Sequence, residues 1–154
     1  CRAYWSSLAH RDKKLVIAGS GKWEFDCMKK DNNQIIKINR FITDAEVSYL
    51  YRNASCVVYP YISATQSGVL SLAYYFQTPL IATKIDFFIE NIIAENTGLL
   101  CMPHDVDSLC NCLNVIIDKT FDRKRMQTNQ QNYYTNSYSS AQLMKELETI
   151  YSQR

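Results

Sequence analysis

Five short runs constrain this chain more than anything else in it: Leu15-Val16-Ile17-Ala18, Ile35-Ile36-Lys37-Ile38, Cys56-Val57-Val58-Tyr59, Pro79-Leu80-Ile81-Ala82 and Gly98-Leu99-Leu100-Cys101. Each is nearly all apolar, rich in branched side chains, and too short for a helix. A strand with one wet face alternates polar and apolar residues, and these do not. They are therefore expected to be buried on both faces, which requires a parallel sheet covered by helices on each side. The stretches between the runs have helical character, so the sequence predicts an α/β fold: a doubly wound, Rossmann-like parallel sheet.

The connecting segments fit that plan. Helices are expected over residues 1–11 and 23–30, and from Thr43-Asp44-Ala45-Glu46, a cap with an acidic first turn, to about Asn53. Further helices are expected over 68–76, from Phe87 to Glu95, and over 105–119, where Val106, Leu109, Leu113, Ile116 and Ile117 recur at helical spacing. The polar tract QTNQQNYYTNSYSS then reads either as a linker or as a weakly packed helix, before a last helix carrying Leu143, Leu147 and Ile150. The expected organisation is a Rossmann-like domain over 1–119, truncated at its N-terminus, and a helical extension over 120–154. The chain opens on Cys1 in what reads as mid-helix, as a fragment would.

Composition removes several function classes. Seventeen basic and 15 acidic residues give a net charge of +2 with no dense basic run, which argues against a nucleic-acid partner. No apolar stretch approaches the roughly 18 to 20 residues of a membrane span, and no signal-peptide pattern is present. A cytoplasmic protein is expected, with a peripheral position at the inner face of the membrane left open. The six cysteines, Cys1, Cys27, Cys56, Cys101, Cys110 and Cys112, form no CxxC pair, so reduced thiols are expected and no metal site.

In an open parallel sheet, ligands bind beyond the carboxyl ends of the strands. Three such loops carry suggestive residues: Gly19-Ser20-Gly21, Arg40-Phe41-Ile42-Thr43, and Tyr61 to Gly68. The third is the most informative. Backbone N–H groups at the start of the following helix form an anion site, Gly68 admits close approach, and Thr65, Gln66 and Ser67 add side-chain donors. Such chemistry suits a diphosphate, although a simple capping role for Thr65 or Ser67 explains the same residues. The GSGK run at 19–22 meets neither glycine-loop fingerprint, since Glu24 stands where a dinucleotide motif needs glycine and Trp23 follows the lysine of a would-be P-loop. His10 and His104 are isolated, Tyr74 and Tyr75 read as packing residues, and Tyr61 lies at the mouth of the expected site.

Taken together, KLVIAGSG, NRFITDAEVSYLYRNASCVVYPY, ATQSGVLSLAYYFQTPLIAT, IEN and TGLL resemble, in order and spacing, the C-terminal donor-binding domain of GT-B glycosyltransferases of retaining family 4, over about residues 5–118. The resemblance implies that the amides of Ser67, Gly68 and Val69, with Thr65 and Gln66, cradle the diphosphate of a nucleotide-sugar. It implies a nucleobase and ribose near Phe41, Ile42 and Tyr61, with Gly19 and Gly21 leaving room beside the donor, and Asp86 and Glu90 as secondary candidates. It further implies metal-independent transfer with retention, no cofactor, and a glycan or lipid-linked acceptor held by an N-terminal domain missing here, as in polysaccharide biosynthesis. Phosphate-neutralising Arg and Lys residues of the family come from a strand and loop that would precede Cys1.

The chain also departs from the family. Two glutamates that members commonly carry with seven residues between them align with Ala64 and Leu72, and the common Gly-Gly pair before a Pro-Glu turn aligns with Asp86-Phe87. In its Gln66-Ser67-Gly68 run the chain resembles a branch of the family with a QSG loop, which looks like the nearer relative. Two alternatives stand beside the transferase: a non-catalytic binding module derived from the same fold, motivated by Ala64 and Leu72, and, less favoured, a sugar-nucleotide epimerase domain. No residue is singled out as catalytic.

Overall fold

A computed structural model describes residues 12–21, 34–65, 67–93 and 96–152 of the chain. The helices expected over 1–11 and 23–30 lie outside the described residues. The chain divides into two compact units, Cys1–Tyr49 and Leu50–Arg154.

In the first unit β1 (Leu15–Ala18) pairs in parallel with β2 (Ile35–Ile38), Leu15 opposite Ile35 and Ala18 opposite Ile38. Asp44 then begins helix α1 (Asp44–Asn53), whose last turn belongs to the second unit. The helix starts where the sequence supplies a complete capping box. The Thr43 amide donates to Glu46 Oε2 at 3.0 Å, and the Glu46 amide donates back to Thr43 Oγ1 at 3.4 Å.

The second unit contains a three-stranded parallel sheet in the order β3-β4-β5: Val57–Tyr59, Leu80–Thr83 and Leu99–Cys101. Central β4 is buried at all four positions, as its uniformly apolar Leu80-Ile81-Ala82 run predicts for a strand covered on both faces. Helix α2 (Val69–Tyr75) connects β3 to β4 and α3 (Asp86–Asn91) connects β4 to β5. Helix α4 (Val106–Ile117) follows β5, capped by Asp105, whose side chain accepts from the Ser108 amide at 2.9 Å. Leu70, Ala73, Tyr74, Leu80, Ala82 and Phe88 are fully buried and form the centre of the core.

The polar tract resolves as helix α5 (Arg123–Ser137), capped by Asp122, and is followed by α6 (Ser140–Ser152). Its inward face is Met126, Gln130, Tyr133 and Tyr134, so it packs at helical spacing without an apolar stripe. Tyr74 meets Tyr133 edge-on at 5.1 Å, and Tyr75 meets Tyr134 at 5.4 Å. Gln130 is completely buried and its amide donates to the Thr78 carbonyl at 3.1 Å and the Thr97 carbonyl at 2.8 Å. Gln127 adds a bond to the Gln77 carbonyl at 3.0 Å and Asn129 one to the Asn96 carbonyl at 3.3 Å. These carbonyls lie in the turns that lead into β4 and β5, so side-chain amides here satisfy backbone groups the sheet leaves over.

β1 and β2 have the expected limits, and those of β3, β4 and β5 differ from expectation by single residues. Helix α3 is shorter than expected and ends at Asn91. Helix α2 ends in a Schellman motif, with Thr78 N–H bonded to Ala73 at 2.9 Å and Gln77 N–H to Tyr74 at 3.1 Å. Gln77 takes the left-handed conformation usually given to glycine, φ 52°, and holds it with a side-chain bond to Gln131 at 2.8 Å.

Candidate functional site

In the first unit Gly19 has φ +142°, a conformation open to glycine and costly for other residues, while its N–H donates to the Ile38 carbonyl at 3.0 Å. Gly21 donates to Asn39 Oδ1 at 3.3 Å, and a Cβ added at either glycine meets nothing within 4 Å. Both therefore serve a turn after β1 and leave open space beside it. Phe41 is 77% exposed, and Ile42 is half-buried. Arg40, in the same loop, is not a free cation: its guanidinium grips Glu46 in a two-point ion pair. That pair, with the Thr43 bonds, holds the Glu46 carboxyl down at about 2.

The second unit carries the loop on which the sequence places most weight. Pro60 leaves β3, and the chain runs through exposed Ile62 and Thr65, half-buried Ser67 and exposed Gly68 into α2. Gln66 lies outside the described residues. Gly68 is the N-cap at φ −65° and no side chain caps the helix, so the capping role for Thr65 or Ser67 is not what the structure shows. A Cβ on Gly68 meets nothing within 4 Å. Among the described residues the turn is thus open on the Cα side of Gly68, while Ser71 Oγ donates to the Gly68 carbonyl at 2.8 Å. With seven residues, α2 has a weak dipole, and the directed N–H groups matter more than the helix field.

Both ends of this loop are fixed from below by hydroxyls. Buried Thr83, last residue of β4, donates from Oγ1 to the Tyr61 carbonyl. Buried Tyr59, last residue of β3, donates from its hydroxyl to the Val69 carbonyl at 2.8 Å. A phenol has one proton to give, so Tyr51, whose hydroxyl lies 3.0 Å away, must donate to Tyr59. Burial raises the pKa of both phenols, which keeps those protons in place. Sequence reasoning missed Tyr59 and Thr83 because each reads as an ordinary strand residue; the only trace is a hydroxyl at the carboxyl end of each of two adjacent runs.

Other expected residues have plainer surroundings. The Tyr61 ring packs on Phe88 at 5.7 Å and Tyr59 at 6.3 Å. Asp86 and Glu90 are exposed on α3, Asp86 in its first turn, where its charge favours the helix. Ala64 lies in the loop and Leu72, 36% exposed, lies on α2, so neither brings a charge. His104 is exposed in a turn, while His10 lies outside the described residues. Cys56, Cys101, Cys110 and Cys112 are free, and burial pushes Cys56 and Cys101 up to about 11, so neither offers a thiolate near neutrality. Among the described residues no cluster of three potential metal ligands occurs, and no helix is long and apolar enough to cross a membrane.

Parallel strands with flanking helices make this an α/β Rossmann-like fold of the kind found in GT-B glycosyltransferases. Residues 1–119 match the family model described as glycosyl transferases group 1, and the chain belongs to that family. No curated protein sequence matches it. Among solved structures it is similar to Anabaena HepE in complex with UDP-glucose, at 14% identity and TM-score 0.74, over 92% of this chain and 41% of that one. It is also similar to the C-terminal domain of a glycosyl transferase group 1 family protein, LpcC, from Francisella tularensis, at 23% identity and TM-score 0.61, over 70% and 55% of the two chains. Sucrose-phosphate synthase from Thermosynechococcus elongatus matches at 23% identity and TM-score 0.65, with 79% of this chain aligned to 30% of that one. The chain thus spans less than half of that synthase and of HepE.

Proposed function

We propose that this chain is the donor-binding domain of a retaining glycosyltransferase of family 4, which moves a sugar from a nucleoside diphosphate to a glycan or lipid-linked acceptor held by another domain. The diphosphate is assigned to Thr65, Ser67, Gly68 and Val69. The observation that supports this most is the uncapped turn at Gly68, open to a ligand on one side and fixed by hydroxyls on the other, in a chain of the glycosyl transferases group 1 family. Amides fixed before the reaction stabilise the charge that grows on a leaving diphosphate without reorganising, so the reading is metal-independent. HepE, solved with UDP and with UDP-glucose, makes the uridine nucleotides the first ligands to try.

Calorimetric titration of the protein with UDP, GDP, ADP and their glucose conjugates tests this. Selective binding of one base series, unchanged by chelator, is expected; absence of binding across the panel would overturn it. The second reading, a non-catalytic module, rests on uncharged Ala64 and exposed Leu72 at the loop and helix. Donor binding without sugar transfer or donor hydrolysis by the complete protein would favour it.

A further inference from the structure

On the donor-loop reading the loop from Tyr61 to Val69 presents its amides to the ligand, yet among the described residues no side chain caps the start of α2. What defines it lies beneath. Tyr59 is a rigid post: it pairs with Ala82 in the sheet, its ring stacks on Phe88 at 6.0 Å, and it is 6% exposed. Its hydroxyl lies 3.0 Å from the Tyr51 hydroxyl and donates to the Val69 carbonyl at 2.8 Å, one peptide beyond the Gly68 turn. Thr83 sits in the adjacent strand opposite Cys101, and its hydroxyl holds the other end of the loop at Tyr61, with the Tyr59 carbonyl 3.4 Å away. One hydroxyl from each of two neighbouring strands thus fixes the two ends of a single loop.

Building on the donor-loop reading, we propose that Tyr59 and Thr83 are positioning residues for nucleoside-diphosphate binding, acting through the Val69 and Tyr61 carbonyls, with Tyr51 holding the Tyr59 hydroxyl in its donating orientation. Neither touches the ligand. Their effect is to set the direction of the Ser67, Gly68 and Val69 amides, so losing a hydroxyl should lower affinity by allowing the loop to sample other arrangements. One net hydrogen bond corresponds to about three- to tenfold in affinity.

The test uses the full chain with UDP as probe, and four variants: Tyr59→Phe, Tyr51→Phe, Thr83→Val and Thr83→Ser. Tyr59→Phe and Thr83→Val should each weaken UDP binding about three- to tenfold, Tyr51→Phe less, and Thr83→Ser, which keeps the hydroxyl, should restore it. In the free protein, Tyr59→Phe should also move the amide resonances of Gly68 and Val69, a signature that a general loss of stability would not give. If Tyr59→Phe fails to fold, the Thr83→Val and Thr83→Ser pair carries the test. Equal UDP affinity in wild type and all variants overturns this inference and leaves the donor reading standing. No UDP binding by the wild type overturns both.

Discussion

The two ends of the β3-β4-β5 sheet are finished in opposite ways. At the amino end, the turns entering β4 and β5 are tied down: Gln127, Asn129 and Gln130 of α5 donate side-chain amides to the carbonyls of Gln77, Asn96, Thr78 and Thr97. At the carboxyl end the loop after β3 is held from the sheet through Tyr59 and Thr83 and from α2 through Ser71, and among the described residues no side chain caps the start of α2. The difference teaches where the molecule tolerates change. At the amino end the side-chain amides satisfy the turn carbonyls and serve stability, with Gln130 Oε1 left buried and unpaired, while the carboxyl end is where the proposed ligand would bind.

Breaking the amino end should have the largest effect. Gln130→Ala removes two buried hydrogen bonds, leaves the Thr78 and Thr97 carbonyls short of a donor and opens a cavity, at about 3 kcal/mol by thermal or urea unfolding. Gly98→Ala places a Cβ 2.4 Å from Leu80 Cδ1 and 2.8 Å from its Cγ, and should cost about 2 kcal/mol in the same measurement. Neither should alter nucleotide affinity in the fraction that remains folded. At the carboxyl end the pattern should reverse: the Cβ of Gly68→Val meets no described neighbour within 4 Å and the change should alter stability by less than about 1 kcal/mol, while UDP affinity measured by calorimetry falls at least about tenfold.

The smallest effect concerns the first turn of α1. The Glu46 carboxyl is held at about 2, first by its bond to Arg40 and then by Thr43, against an ordinary 4.5. A depressed carboxyl contributes stability that is complete above the unfolded value and is lost as pH falls through the folded one. The protection of the Val47 amide, taken relative to its intrinsic exchange rate at each pH, should therefore fall between pH 4.5 and about 2, and Glu46→Gln should remove that dependence.

The strands were legible as apolar runs, and Leu80-Ile81-Ala82 is buried throughout as a covered parallel sheet demands, whereas β1 and β2, expected to be buried on both faces, hold no buried residue. The start of α1 was legible because Thr43-Asp44-Ala45-Glu46 is a capping box written within four residues. Helix α5 was legible only as one of two alternatives: its inward residues bind by amide donors and tyrosine edges, which apolar periodicity does not register. The open loop was marked by Thr65, Ser67 and Gly68, but the hydroxyls that fix it come from β3 and β4, and only the folded sheet brings Tyr59 and Thr83 to its two ends. Arg40 carried the opposite risk, since a loop arginine suggests phosphate until its Glu46 partner is seen.

The most direct test of the account is to map UDP onto backbone amides by isotope-edited NMR of the full chain. Shifts concentrated at Thr65, Ser67, Gly68 and Val69 are expected, with Thr78 and Thr97 unmoved. Shifts centred on the amino-end turns, or none at saturating UDP, would contradict it.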